Sequence, residues 1–167
     1  MNIKKLALSA VVVGSVLVGN PGPASAVTGR QDFTVVKIGA NTGTVVAQGL
    51  ITGAGREENN RLQVPRGGPF QVEFSFPEGD LYQTITPAGP PQVDFNPTTC
   101  VARLTFSHTA VVTGGTGEYT GATGGGTAVA NLTVIRGRNA DGSCLPETAP
   151  PIFEMSYVRA TGTVTVG

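Results

Sequence analysis

The chain has 167 residues, with 11 Lys and Arg against 11 Asp and Glu, one histidine, two cysteines and no tryptophan. This balance, without any basic cluster, excludes the phosphate-neutralising surface of a nucleic-acid binder. Two cysteines and one histidine are too few for a structural zinc site, and no metal site is expected.

In chain order, the first feature is an export pattern. Lys4 and Lys5 precede an apolar run, "LALSAVVVGSVLV" at 6–18, followed by Pro21, Gly22, Pro23 and Ala24-Ser25-Ala26. A basic start, a short apolar core and an A-x-A site are the parts of a secretory signal. The run is too short to span a bilayer comfortably, so it predicts cleavage after Ala26 rather than a retained anchor. Residues 27–167 then form one domain of 141 residues, with 9 basic and 11 acidic side chains once Lys4 and Lys5 are gone. No 18-residue apolar stretch remains there, so no membrane span is expected after signal cleavage.

From residue 27 onward no 3.6-residue periodicity appears. Glycine, threonine and valine dominate, and alternating or β-branched runs recur between Gly, Pro and Asn clusters. These predict strands at 32–38, 44–52, 61–64, 70–76, 81–86, 100–113, 124–135 and 152–166. Proline removes a ladder donor, so "PAGPPQVDFNP" at 87–97 and "PETAPP" at 146–151 must be connections or edges. The alternation is clearest in "VARLTFSHTAVV". There Ala102, Leu104, Phe106, His108, Ala110 and Val112 share one face, and Arg103, Thr105, Ser107 and Thr109 the other. Val72, Phe74 and Phe76 likewise oppose Glu73 and Ser75, while Ala128, Ala130, Leu132 and Val134 oppose Thr127, Asn131 and Thr133. With no helices to cover them, the apolar faces must meet in a sandwich or a closed barrel. About eight strands in one small domain suit a barrel filled by side chains or by one small ligand.

Residues 113–127, "TGGTGEYTGATGGGT", lie between two long β runs and read as a hairpin turn, since glycine supplies positive φ and close backbone approach. A phosphate loop would need a Gly-Lys-Ser/Thr ending or G-x-G-x-x-G spacing and a following helix, and none is present. Cys100 opens the incoming strand and Cys144 follows the returning one, so both fall at the end opposite this turn. In an exported chain the pair is expected to form a disulfide, stabilising the fold by about 3–4 kcal/mol through loop closure.

Several phrases in order carry a family resemblance. They are "GTVVAQGLIT" (43–52), "VEFSFPEGDLYQTIT" (72–86), "VVTGGTGEYTGATGGGTAVA" (111–130) and "FEMSYVRATGTV" (153–164). Together they resemble the allene oxide cyclase and dirigent superfamily of antiparallel β-barrels, and the glycine hairpin is the specific part. Bacterial spirotetronate cyclases carry a related hairpin. The resemblance implies an eight-stranded closed antiparallel barrel whose apolar lumen holds a reactive small molecule in one conformation. Rate and stereochemistry would then come from orientation and water exclusion, and no cofactor is implied. Related barrels often associate, so a homo-oligomer is compatible with the resemblance. The lumen residues of plant dirigent proteins and the plant allene oxide cyclase site find no counterparts here, so lignan coupling and fatty-acid epoxide cyclisation are not carried over.

Alternation places His108 in the lumen, where it could act as acid or base. On the closing strand Phe153, Met155, Tyr157 and Arg159 share one face, but Ile152, Val158, Ala160 and Val164 make the other equally apolar. With the first face inward, Tyr157 and Arg159 join His108 as catalytic candidates able to hold a carboxylate or enolate oxygen. Phe74, Phe76, Leu104, Phe106, Leu132 and Met155 are the expected ligand-contacting side chains. Glu73 and Glu154 are expected to face outward, and Asp94 to be solvated. No Gly-x-Ser-x-Gly elbow appears, so hydrolase chemistry is not indicated. The expected function is a secreted barrel that binds a small hydrophobic molecule and guides its cyclisation or coupling. The alternative is a non-enzymatic exported binding or structural module with a packed core.

Overall fold

A computed structural model describes residues 25–39, 42–59 and 68–167. The expected signal segment lies almost wholly outside the described residues, as does the strand expected at 61–64. The described residues form nine strands: β1 (Val27–Ile38), β2 (Thr42–Gly49), β3 (Gly53–Asn59), β4 (Phe70–Phe76), β5 (Gly79–Pro87), β6 (Gln92–Asn96), β7 (Val101–Gly115), β8 (Thr123–Ile135) and β9 (Phe153–Val166). They run β5-β4-β3-β2-β1-β9-β8-β7, and a β5–β7 ladder joins the two ends. The result is a closed, eight-stranded, antiparallel barrel. β6 stands outside that ring as an edge strand against residues 101–105 of β7. The proline-rich segment is therefore an edge as well as a connection, and all five β6 residues are exposed. Among the described residues no helix is long and apolar enough to cross a membrane.

β3 was not anticipated. Its sequence, "GAGREEN", has no apolar alternation, because the residue it turns inward is Glu57. Pairing with β2 and β4 holds it in place.

The inward positions sort the barrel into two halves. At the glycine end, Phe33, Phe76, Leu81, Val112, Tyr119 and Val164 fill the interior. An aromatic chain crosses it from Phe33 to Phe74, Phe76 and Tyr119, with ring centroids 5.1, 6.4 and 6.0 Å apart. Burying side chains of this size contributes about 1.5–3 kcal/mol each.

The glycine hairpin closes this end. Thr113 forms a bulge, since Tyr82 pairs with Gly114 and Gln83 with Val112. A short 3-10 turn, Gly117–Tyr119, then folds Tyr119 back over the core. Gly117 has φ 56°, and a Cβ there would lie 2.2 Å from the Glu78 carbonyl oxygen, so only glycine fits against the β4–β5 turn. The Tyr119 hydroxyl donates to the Glu78 carboxylate at 3.4 Å. Burial first, and then the Glu78 charge, push the Tyr119 hydroxyl above its ordinary pKa. Nearby, Gln31 is almost completely buried, and its Nε2 donates to the carbonyls of Asp32, Gln48 and Ile51 at 3.1, 3.2 and 3.0 Å. Its Oε1 accepts from the Ile51 N–H at 2.8 Å, which fixes the β2–β3 turn.

The opposite end carries the cysteine pair. Cys100 and Cys144 are joined, with 5.5 Å between Cα atoms and a sequence separation of 44. Asn96 Oδ1 accepts from the N–H groups of Thr98 and Thr99, which shapes the turn into β7. Arg138 donates to the carbonyls of Gly142 and Thr98, tying the β8–β9 loop to that turn.

Candidate functional site

The half of the barrel nearer the disulfide is not filled. A cavity of about 70 Å³ occupies its lumen. Inward positions on β8 and β9 pair Ala128 with Ala160, Ala130 with Val158 and Leu132 with Ser156. In the other half the same strands pair Gly126 with Gly162 and Gly124 with Val164, and Phe33, Phe76 and Tyr119 from other elements fill the space. Phe70, Val72 and Phe74 of β4, Ile85 of β5 and Phe106 of β7 form the facing apolar wall.

Four polar side chains converge on this apolar space, each at least nine-tenths buried: Lys37, Glu57, Gln83 and His108. Lys37 Nζ lies 2.6 Å from Glu57 Oε2. The sequence arranges this pair across three strands. Lys37 of β1 and Glu57 of β3 are both register partners of Gly43 on the strand between them. A Cβ at Gly43 would stand 2.6 Å from Lys37 Cγ and 3.2 Å from Glu57 Oε2. Glycine therefore opens the lane through which the two side chains meet. Neither charge could be buried alone at tolerable cost, so each neutralises the other.

His108 of β7 is stacked on Phe106, with centroids 6.0 Å apart and planes at 15°. Phe70 meets it edge-on, also at 6.0 Å. Its expected lumen position is therefore observed, as are those of Phe74, Phe106 and Leu132. Gln83 of β5 has a fully shielded Nε2 with no hydrogen-bond partner among the described residues. Glu154 and Ser156 of β9 complete the wall.

The closing strand faces the other way from the catalytic expectation. Its cavity-lining residues are Glu154, Ser156, Val158 and Ala160, so Phe153, Met155, Tyr157 and Arg159 lie on the outer surface. Register decides this, because the two faces of β9 are similarly apolar. Val158 pairs with inward Val35, which sends Tyr157 outward beside Val36 and Arg159 outward beside Thr34 and Val129. Arg159 instead joins an outer charged group with Arg30 and Asp32. There, hydrogen bonds from Thr161 and Arg30, with the charges of Arg30 and Arg159, hold the Asp32 carboxyl below the usual carboxylate range. Glu154, expected outside, is on the inner face. Phe76 belongs to the packed half, against Tyr119. Leu104 is half-buried toward the disulfide end and does not line the cavity. Glu73 faces outward as expected, accepting from the Ser75 hydroxyl at 3.3 Å, and Asp94 is exposed on β6.

Lys37, Glu57 and Gln83 were not among the sequence candidates. The signal for Lys37 was present in "QDFTVVK", where Gln31, Phe33, Val35 and Lys37 share one face. Gln83 similarly alternates with Leu81 and Ile85. Glu57 carried no such signal, because its strand lacks any apolar pattern.

Among the described residues no three His, Cys, Asp or Glu side chains come together to hold a metal ion. What the arrangement offers is a largely apolar chamber with an ion pair, an imidazole and a carboxamide at its wall. Hydrogen bonds made there are stronger than in water because the surroundings are of low dielectric. In comparison with known proteins, no family, no curated protein and no solved structure matches the chain.

Proposed function

We propose that this protein is an exported barrel that takes a small, largely apolar molecule into the disulfide-end half of its lumen. The ligand is held in one orientation against Lys37, Glu57, Gln83 and His108. The observation that carries this reading is the convergence of those four buried polar groups on an apolar cavity, the usual composition of a small-molecule site. The closed eight-stranded barrel and its glycine hairpin support kinship with the allene oxide cyclase and dirigent barrels. On that kinship, the bound molecule would be guided through a cyclisation or coupling without a cofactor. Orientation and exclusion of water would supply the acceleration, and His108 would be the side chain to exchange a proton with the ligand. The cysteine pair and the signal-like N-terminus support export.

The test is native mass spectrometry of the protein recovered from its producer's medium, together with thermal melts in the presence of apolar probes. A chain beginning at Val27, a co-purifying small molecule and a probe-dependent rise in melting temperature are expected. A second reading, a non-enzymatic exported module, draws on the close packing of the glycine half. It would replace the first if no apolar probe moved the melting temperature and the protein were recovered without a bound molecule.

A further inference from the structure

Gln31 and Gln83 are both buried glutamines on inward positions, and their surroundings differ completely. Gln31 is satisfied on both sides of its amide by backbone groups of the β2–β3 turn. Gln83 is 4% exposed, lines the cavity, and has a shielded Nε2 without an acceptor among the described residues. A buried N–H left unmatched is destabilising, whereas an apolar residue of similar shape would not be. The carboxamide is therefore placed for an acceptor that arrives with a ligand.

Position and charge narrow what that acceptor is. Gln83 also borders a second, much smaller space of about 20 Å³ leading toward the packed half. That is room for one or two waters, so a ligand entering from the disulfide end stops at Gln83 with its leading atom. Among the described residues Lys37 is the one lysine or arginine lining the lumen cavity, and Glu57 already holds it. Glu154 adds a further carboxylate to the wall. A ligand carboxylate or phosphate would thus meet a committed cation and two acidic side chains, while a neutral acceptor would meet none of these costs.

We infer that Gln83 Nε2 donates to a neutral carbonyl oxygen at the leading end of the ligand. The class is a small ketone, aldehyde, ester or lactone whose apolar body lies against Phe70, Phe106 and Leu132. This rests on the lumen-binding reading above and specifies the chemistry of what the lumen takes.

The test uses three six-membered-ring probes: cyclohexanone, methylenecyclohexane (the same shape, with a CH2 group in place of the oxygen) and the anion cyclohexanecarboxylate. Each is titrated calorimetrically into the full protein and into Gln83→Leu, with circular dichroism to confirm that the variant is folded. The expected result is a preference for cyclohexanone over methylenecyclohexane that falls about tenfold in Gln83→Leu, with cyclohexanecarboxylate the weakest of the three in the unsubstituted protein. An unchanged preference, with methylenecyclohexane still binding both proteins, overturns the role of Gln83 and leaves the lumen-binding reading standing. Tighter binding of cyclohexanecarboxylate overturns the neutral-carbonyl class. Failure of all three probes to bind overturns the lumen-binding reading itself. Should Gln83→Leu not fold, the Gln83 side-chain amide protons are followed by NMR in the unsubstituted protein. They are expected to move downfield with cyclohexanone but not with methylenecyclohexane, and equal shifts with both would overturn the inference.

Discussion

The glycine half and the disulfide half of the barrel are built from the same eight strands, yet one is closely packed and the other hollow and polar. In the first, Phe33, Phe76, Leu81, Val112 and Val164 meet at the axis, and Tyr119 closes the end. In the second, Ala128, Ala130, Ser156 and Ala160 stand among the inward positions of β8 and β9, and Lys37, Glu57, Gln83 and His108 line the lumen. The contrast teaches that the ladder fixes which positions face the lumen, while the side chains placed there, with Tyr119 folded in from the hairpin at one end, decide whether the lumen is core or chamber. One half contributes stability and the other carries buried polarity that a packed core would not keep.

Four substitutions sharpen that contrast, beginning with the largest effect. Lys37→Met strands the Glu57 carboxylate in the lumen, and a loss of about 3–5 kcal/mol is expected in urea unfolding. The double variant Lys37→Met/Glu57→Leu should recover most of that loss. A double variant no more stable than the single one would show that the pair does not act as a unit. Leu81→Ala opens a void in the packed half and should cost about 3 kcal/mol. Probe binding in the other half should be unaffected, and a parallel loss of affinity would break the division into two regions.

Gly43→Ala intrudes on the lane between Lys37 and Glu57 and on the Val36 carbonyl oxygen 2.9 Å away. A loss of about 2 kcal/mol by chemical denaturation is expected; no change would mean that the ion pair crosses elsewhere. The smallest effect concerns Tyr119, whose raised pKa implies stability fully present below about pH 10 and lost as pH climbs through the folded-state value. Followed by ultraviolet absorbance, Tyr119 should ionise in a late step above the ordinary tyrosine range. Tyr119→Phe should remove that late step, and its persistence would assign the step to another tyrosine.

Much of the fold was legible. Alternation in "VARLTFSHTAVV" placed Ala102, Phe106, His108 and Ala110 inward, and the glycine run announced the hairpin before any pairing was known. Cys100 and Cys144 were brought together by their positions at the far end of that hairpin. The site was less legible, for three physical reasons. Glu57 sits on a strand that hydropathy does not reveal, because an inward charge looks like an outward one until its partner is found. The orientation of β9 depends on the pairing of Val158 with Val35, since hydrophobicity is nearly equal on its two faces. Finally, the lane at Gly43 is a property of three adjacent strands, and no single segment contains it.

The pairing of β1 with β9 has a kinetic consequence. All twelve residues of the first strand, from Val27 opposite Val166 to Ile38 opposite Met155, take partners from the last segment of the chain. A polypeptide delivered amino end first cannot complete this seam until its final residues are free. Until then both margins of the sheet stay open to foreign strands. With so many partners distant in sequence, refolding is expected on the millisecond-to-second scale of all-β topologies. A chain cut before residue 153 would hold β1 and β8 as two unsealed edges, so for this molecule a late truncation is more damaging than its length suggests.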